Sequence, residues 1–141
     1  MLNRIFFVCL MMSVFQSEAG ATVGAADRWF AAHFQSRRLA CYVGATHTNF
    51  LVWGSYQGIQ GKVLSGDKKF YVDHVSITDK QFKITFVNEN DGPLSQDLLI
   101  FDLAKLALLG SPAAQEIQGI EYYSEGFDGT SLKSSMFCHL L

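Results

Sequence analysis

Serine, histidine and aspartate are all present in this chain, so nucleophilic hydrolysis is the first chemistry to weigh. A hydrolase nucleophile of the common α/β type sits in a G-x-S-x-G elbow between a strand and a helix. The nearest approach, Gly129-Thr130-Ser131, falls in a predicted turn with no strand-turn-helix context. Possession of the three residue types assigns no roles, because each must lie within hydrogen-bond reach of the next.

Metal binding would draw on His33, His47, His74 and His139. Two ligands on one helix need i, i+4 spacing, and His33 has no such partner. Asp73 and His74 are adjacent in a predicted strand, so their side chains point to opposite faces and cannot share an ion without a bulge. His33 reads as a helix-face histidine beside Phe30 and Phe34, and His139 as an outward strand residue. Paired carboxylates could hydrolyse glycosides, with Asp97, Asp102, Glu121 and Glu125 as candidates. That chemistry needs a separation of about 5 or 9 Å, which spacing along the chain does not set. Glu121 and Glu125 are expected to flank a solvated strand end. Gly54, Gly58 and Gly61 match neither G-x-G-x-x-G nor a P-loop and lead into strand rather than helix. They suggest bulges that bend a sheet. No catalytic residue, metal ligand or cofactor is therefore assigned.

Large amphipathic side chains remain. Trp53, Tyr42 and Tyr71 fall on the opposite side of their strands from Val52, Val43 and Val72, and Tyr122 with Tyr123 covers both faces of another. Exposed Tyr and Trp are enriched where proteins meet partners. Trp53, Tyr71, Tyr42 and Tyr123 are the candidate binding residues, unless the segment from Ala104 to Gln118 buries them as a second layer.

The elements that must hold these residues follow from periodicity. Ala26, Trp29, Phe30 and Phe34 recur at helical spacing up to about Arg38, with Asp27 near the start and Arg37 and Arg38 near the end, as the helix dipole favours. Alternation then takes over. Leu39, Cys41 and Val43 share one side of a strand; Phe50 and Val52, with Tyr56 possible, share one side of the next. Lys62 to Ser65, Phe70 to Thr78 and Gln81 to Asn88 follow, with turns at Ser65-Gly66-Asp67 and Thr78-Asp79-Lys80. Phe82, Ile84 and Phe86 alternate with Lys83 and Thr85 as a half-buried strand. Asn88 to Pro93 reads as a loop and Asp97 to Leu103 as a central strand. Ala104 to Leu109 favours helix, Gly110 stops it, and Ser111-Pro112 can open another short helix through Gln118. Ile120 to Ser124, a turn at Gly126 to Thr130, and Leu132 to Leu141 complete the chain. In the last strand Leu132, Met136, Cys138 and Leu140 share one side.

This order indicates an α+β domain: a curled, mostly antiparallel, barrel-like sheet closed by its first and last strands, with an N-terminal helix packed on it and one short helical excursion before the last two strands. A β-sandwich is the alternative.

Residues 1–21 read as a signal peptide: Arg4 supplies charge, Ile5 to Phe15 an apolar run too short for a membrane span, and Ala19, Gly20 and Ala21 the small residues for cleavage. Cleavage after Ala21 is expected, or else after Ala19, leaving residues 22–141 as a single compact domain that is loose only from Thr22 to Ala25. Cys9 leaves with the leader, so Cys41 and Cys138 remain to form a disulfide closing a loop of about a hundred residues. Arg4 and Glu18 cancel, so the mature net charge stays at −2 and favours neither nucleic acid nor anionic lipid.

The expected function is that of an exported binding module, periplasmic or secreted, of the inhibitor, immunity or virulence-associated type. Its partner is a protein or an envelope component, with no nucleic acid and no stable membrane span after cleavage. A small envelope-polymer hydrolase and a carrier of a hydrophobic small molecule are the alternatives. Oligomeric state is not set by the sequence.

Overall fold

Alternating apolar and polar residues build strands along most of the chain, and the computed structural model, which describes residues 24–64, 69–89, 92–125 and 131–141, pairs eight of them. Helix α1 (Ala25–Phe34) precedes β1 (Leu39–Val43), β2 (Thr48–Ser55), β3 (Gly58–Val63), β4 (Phe70–Ile77), β5 (Gln81–Asn88) and β6 (Gly92–Asp102). Helix α2 (Leu103–Leu108), β7 (Ile117–Glu125) and β8 (Ser131–Leu140) follow. The sheet runs β3-β2-β1-β8-β7-β6-β5-β4, antiparallel throughout. Every ladder except β1–β8 joins strands consecutive in sequence, so the chain winds up and down around a ring. The first and last strands pair, as expected, and the ring is nearly closed: β3 and β4 lie side by side across a seam with no ladder pairing among the described residues.

Helix α1 packs against β2, β3 and β4, over the seam. Asp27 on its first turn uses both carboxylate oxygens: Oδ2 accepts from Gly24 N at 2.9 Å, and Oδ1 accepts from Ile59 N at 2.7 Å. The second bond satisfies a donor of β3 on the edge that has no partner strand, which is how a helix can protect an open sheet edge. Gly24 is thus the N-cap and Ala25 already helical, a residue earlier than expected. The helix ends at Phe34, four residues before Arg38, because Gln35 takes a positive φ of 54° that turns the backbone toward β1. At the same end of the barrel, Leu106 and Leu109 from α2 and the turn after it join the core.

Strand phase sorts the interior. Leu39, Cys41 and Val43 face in, opposite Leu140, Cys138 and Met136 of β8. Phe82, Ile84 and Phe86 face in from β5 and are fully buried, as their alternation predicts, with Phe101 and Leu99 opposite Phe82 and Ile84. Phe30, Phe34, Phe50, Phe82, Phe86 and Phe101 fill this interior. Cys41 and Cys138 are direct cross-strand neighbours joined by a disulfide, with 4.1 Å between their Cα atoms.

Several boundaries differ from expectation. Strand β3 begins at Gly58, not Lys62, and pairs with β2 in unbroken register, so Gly54, Gly58 and Gly61 make no bulge. Register shifts fall instead at Val72/His74 and at Val87/Asn88. Asn88 pairs with Gly92, so β6 starts where a loop was expected and takes in Pro93. The single helical excursion expected before the last two strands is α2, and the alternative second helix does not form: Ser111 opens a turn, its Oγ donating to Leu108 O at 2.9 Å and accepting from Ala113 N at 3.2 Å, and β7 starts at Ile117. Tyr56 is 88% exposed in the β2–β3 turn, and Leu132 is 66% exposed at a strand end, so neither joins the core. The expected leader, the turns at Ser65-Gly66-Asp67 and Gly126–Thr130, and most of the Asn88–Pro93 loop lie outside the described residues or side chains.

Candidate partner-docking face

Residues out of phase with the core make the outer wall of the barrel, and ladder register arranges them in rows across β3, β2, β1 and β8. One row holds Gln60, Trp53 and Arg38, the last carried past the strand by the bond from Leu141 N to Arg38 O at 2.8 Å. The next holds Lys62, Leu51, Ala40 and His139. The third holds Asn49, Tyr42 and Phe137, with Gln118 of the neighbouring β7 beside Phe137. Its centre is apolar and aromatic, made of Trp53, Leu51, Ala40, Tyr42 and Phe137, and Arg38, Lys62 and His139 stand at its margin.

Local bonds fix the large side chains. The Arg38 guanidinium carbon lies 5.9 Å from the Trp53 ring centroid, a cation–π arrangement that holds the cation over the indole face. Tyr42 Oη and His47 Nδ1 are 2.9 Å apart, bridging β1 to the loop after it. Tyr42 and Phe137, directly opposed across the β1–β8 ladder, are 40% and 45% exposed. Lone exposed apolar residues are ordinary, but paired aromatics around an apolar centre have the composition of an interface core. Neither α1 nor α2 covers Tyr42, Phe137 or Tyr71, so the expected second layer over them does not form.

Of the four aromatics proposed from sequence, Trp53 and Tyr42 come together on this face. Tyr71 is exposed on β4, beyond β3 and across the seam. Tyr123 is half-buried and points into the barrel, opposite Asp97. Phe137 and Arg38 are the contributors that sequence reasoning passed over. Phe137 alternates with the core residues Met136 and Cys138, the same signal that exposes Tyr42.

The interior also contains polar groups that the sequence did not place there. Ser95, Asp97 and Glu121 share the inward phase of β6 and β7, toward the end of the barrel away from the helices. Glu121 is buried, not at a solvated strand end, and its Oε2 has no hydrogen-bond partner among the described residues. Asp97 and Glu121 are 4% and 2% exposed, so neither is open to a polymer substrate in the way glycoside hydrolysis requires. An unpartnered buried acceptor carries a desolvation cost of about 1 to 3 kcal/mol. Glu121→Met, which keeps the unbranched shape, is accordingly expected to stabilise the protein by about that amount in urea unfolding. A loss of stability would show that Glu121 holds a bond the fold depends on.

The histidines are spread apart. His33 stacks on Trp29 at 3.9 Å between ring centroids, and its Nδ1 lies 2.8 Å from Trp29 O. A bulge does fall beside Asp73 and His74, and both are exposed. Among the described residues no three His, Cys, Asp or Glu side chains gather as a metal site. No described helix is long and apolar enough to cross a membrane. Compared with known proteins, the chain matches no family, no curated protein and no solved structure.

Proposed function

We propose that this protein is an exported binding module whose partner is another protein, docked on the outer face of β1, β2 and β8. The observation that carries the proposal is the opposed pair Tyr42 and Phe137, both exposed, beside Trp53 and over the shielded Leu51. Interface hot spots are enriched in Trp, Tyr and Arg, and this face offers one of each within three adjacent rows. A strand-borne site of this kind is already ordered before binding, so little side-chain freedom is lost on docking. The buried disulfide supports a role in an oxidising compartment, where such bonds persist. The carrier reading gains less support, because six phenylalanine rings occupy the barrel interior.

Truncating a central aromatic separates docking from packing. Phe137→Ala and Tyr42→Ala are expected to leave the melting temperature within about 3 °C of wild type, since surface changes cost little stability. Both should weaken capture of an extracytoplasmic protein by roughly thirty-fold, the equivalent of about 2 kcal/mol at a hot spot. Tyr71→Ala, across the seam, should have a smaller effect. Unchanged capture by both Phe137→Ala and Tyr42→Ala, or early unfolding of both, would remove the basis for this reading.

A further inference from the structure

The four strands that form this face contain no aspartate or glutamate. None occurs from Arg28 to Gly66, the stretch that includes β1, β2 and β3, and none from Ser131 to Leu141, which contains β8. The same stretches contain Arg28, Arg37, Arg38, Lys62 and Lys133. The chain as a whole is net negative at −2. Among the described residues its carboxylates lie on α1, on β4, β6 and β7 and in the connections, with Asp97 and Glu121 inside the barrel, and Glu116 just before β7 is the one that comes near this face, beside His139. The two stretches are far apart in sequence, and the β1–β8 ladder makes them one surface. No cation on these strands has a carboxylate from the same strands to pair with.

We infer that the partner presents an acidic protein surface to this face: an apolar patch ringed by carboxylates. The inference rests on the docking reading above and specifies its chemistry. Arg38 and Lys62 stand beside the aromatic centre, in the first two rows, with the His139 imidazole at the far end of the second, which matches an interface with an apolar core and a polar, charged rim. Rim charges of one sign steer a partner of the other sign and reject partners of the same sign. A nucleic acid is a poorer fit, because it needs cations at close intervals along a track to neutralise successive phosphates, and here apolar rows lie between the cations. An anionic membrane is also a poorer fit, because the cations number few and sit at the margin of a curved barrel wall.

The test uses the oxidised, leader-free protein and defined probes: a random glutamate–tyrosine copolymer, a lysine–tyrosine copolymer, heparin, and phosphatidylglycerol vesicles. Retention of the glutamate–tyrosine copolymer is expected, with binding that falls as salt rises from about 0.05 to 0.5 M, across which screening lengths shrink several-fold. Lys62→Glu combined with Arg38→Glu should weaken it by about ten-fold, and Phe137→Ala should weaken it as well. Unfolding curves of the charge variant should overlay wild type. A second charge variant, Lys133→Glu, lies outside the three rows and should have a lesser effect. Equal retention of both copolymers, preference for heparin or vesicles, or salt-dependent self-association in sedimentation in place of copolymer binding would overturn the acidic-protein inference. If Phe137→Ala weakens retention while the charge reversals do not, the docking face stands and the inference about charge fails. If neither changes retention, the docking face fails with it.

Discussion

Cys138→Ser is expected to destabilise the oxidised protein by about 2 to 5 kcal/mol, lowering its melting temperature by on the order of 10 to 20 °C. The reason lies in the topology. Six of the seven ladders join consecutive strands, through short turns or, between β6 and β7, through the α2 segment, so their loops are short to close. Only β1–β8 brings together segments 97 residues apart, and the entropy of closing that loop must be overcome by the strand pairing itself. The disulfide sits in the middle of that one ladder. In the chain-entropy account a loop this long contributes nearly the full amount available to any single bridge, about 4 to 5 kcal/mol. Labelling of the unreduced protein should find neither Cys41 nor Cys138 as a free thiol. Reduction of the wild type should reproduce the effect of Cys138→Ser within about 1 kcal/mol, since both act on the same bond. A melting temperature unmoved by reduction would show that the ladder closes the barrel unaided.

The proposed docking face rests on the same ladder. Tyr42 and Phe137 belong to the two strands that the disulfide ties, so loosening that pairing separates the aromatics at the centre of the face. Reduction should therefore weaken partner capture at temperatures where the barrel remains folded elsewhere.

How far the sequence revealed these features depended on how clean the local alternation was. Cys41 and Cys138 lie in strands whose neighbours, Leu39, Val43, Met136 and Leu140, leave only one phase possible, so their meeting was legible. The β5 pattern was equally clear. Strand β3 was not, because Gly61 occupies an inward position and breaks the run between Ile59 and Val63. The start of β6 was hidden by Pro93, a residue that ordinarily ends strands and is tolerated here beside a register shift. Ser111-Pro112 carries a helix-start signature, but the serine hydroxyl bonds locally to stop a helix and shape a turn. The outward placement of Trp53 and Tyr42 was legible by parity alone. The absence of acidic residues was in plain view along two stretches, yet it described a surface only once β1 and β8 were known to be neighbours. Glu121 went unrecognised because carboxylates are seldom buried without a partner, and that prior placed it in solvent.

Phe86 and Gly61 should behave as one unit. Phe86 is fully buried, its ring centroid 5.1 Å from that of Phe50, and Phe86→Ala is expected to cost about 3 to 5 kcal/mol while Thr85→Ala on the outward side of the same strand stays near neutral. The ring has its place because position 61 carries no side chain. A Cβ there would lie 2.7 Å from Phe86 Cζ, closer than non-bonded carbons come, and at a tight 3.0 Å from the Leu51 carbonyl oxygen. Gly61→Ala alone should therefore cost about 1 to 3 kcal/mol through overpacking. Removing the Phe86 ring opens room for the new methyl, and the carbonyl is the remaining close neighbour. In the Phe86→Ala background the Gly61→Ala penalty should shrink by about 1 kcal/mol or more, a coupling that a double-mutant cycle in urea measures directly. Strictly additive losses would mean that the β3 and β5 side chains do not meet across the barrel, and the interior packing on which the seam and its helix rest would have to be redrawn.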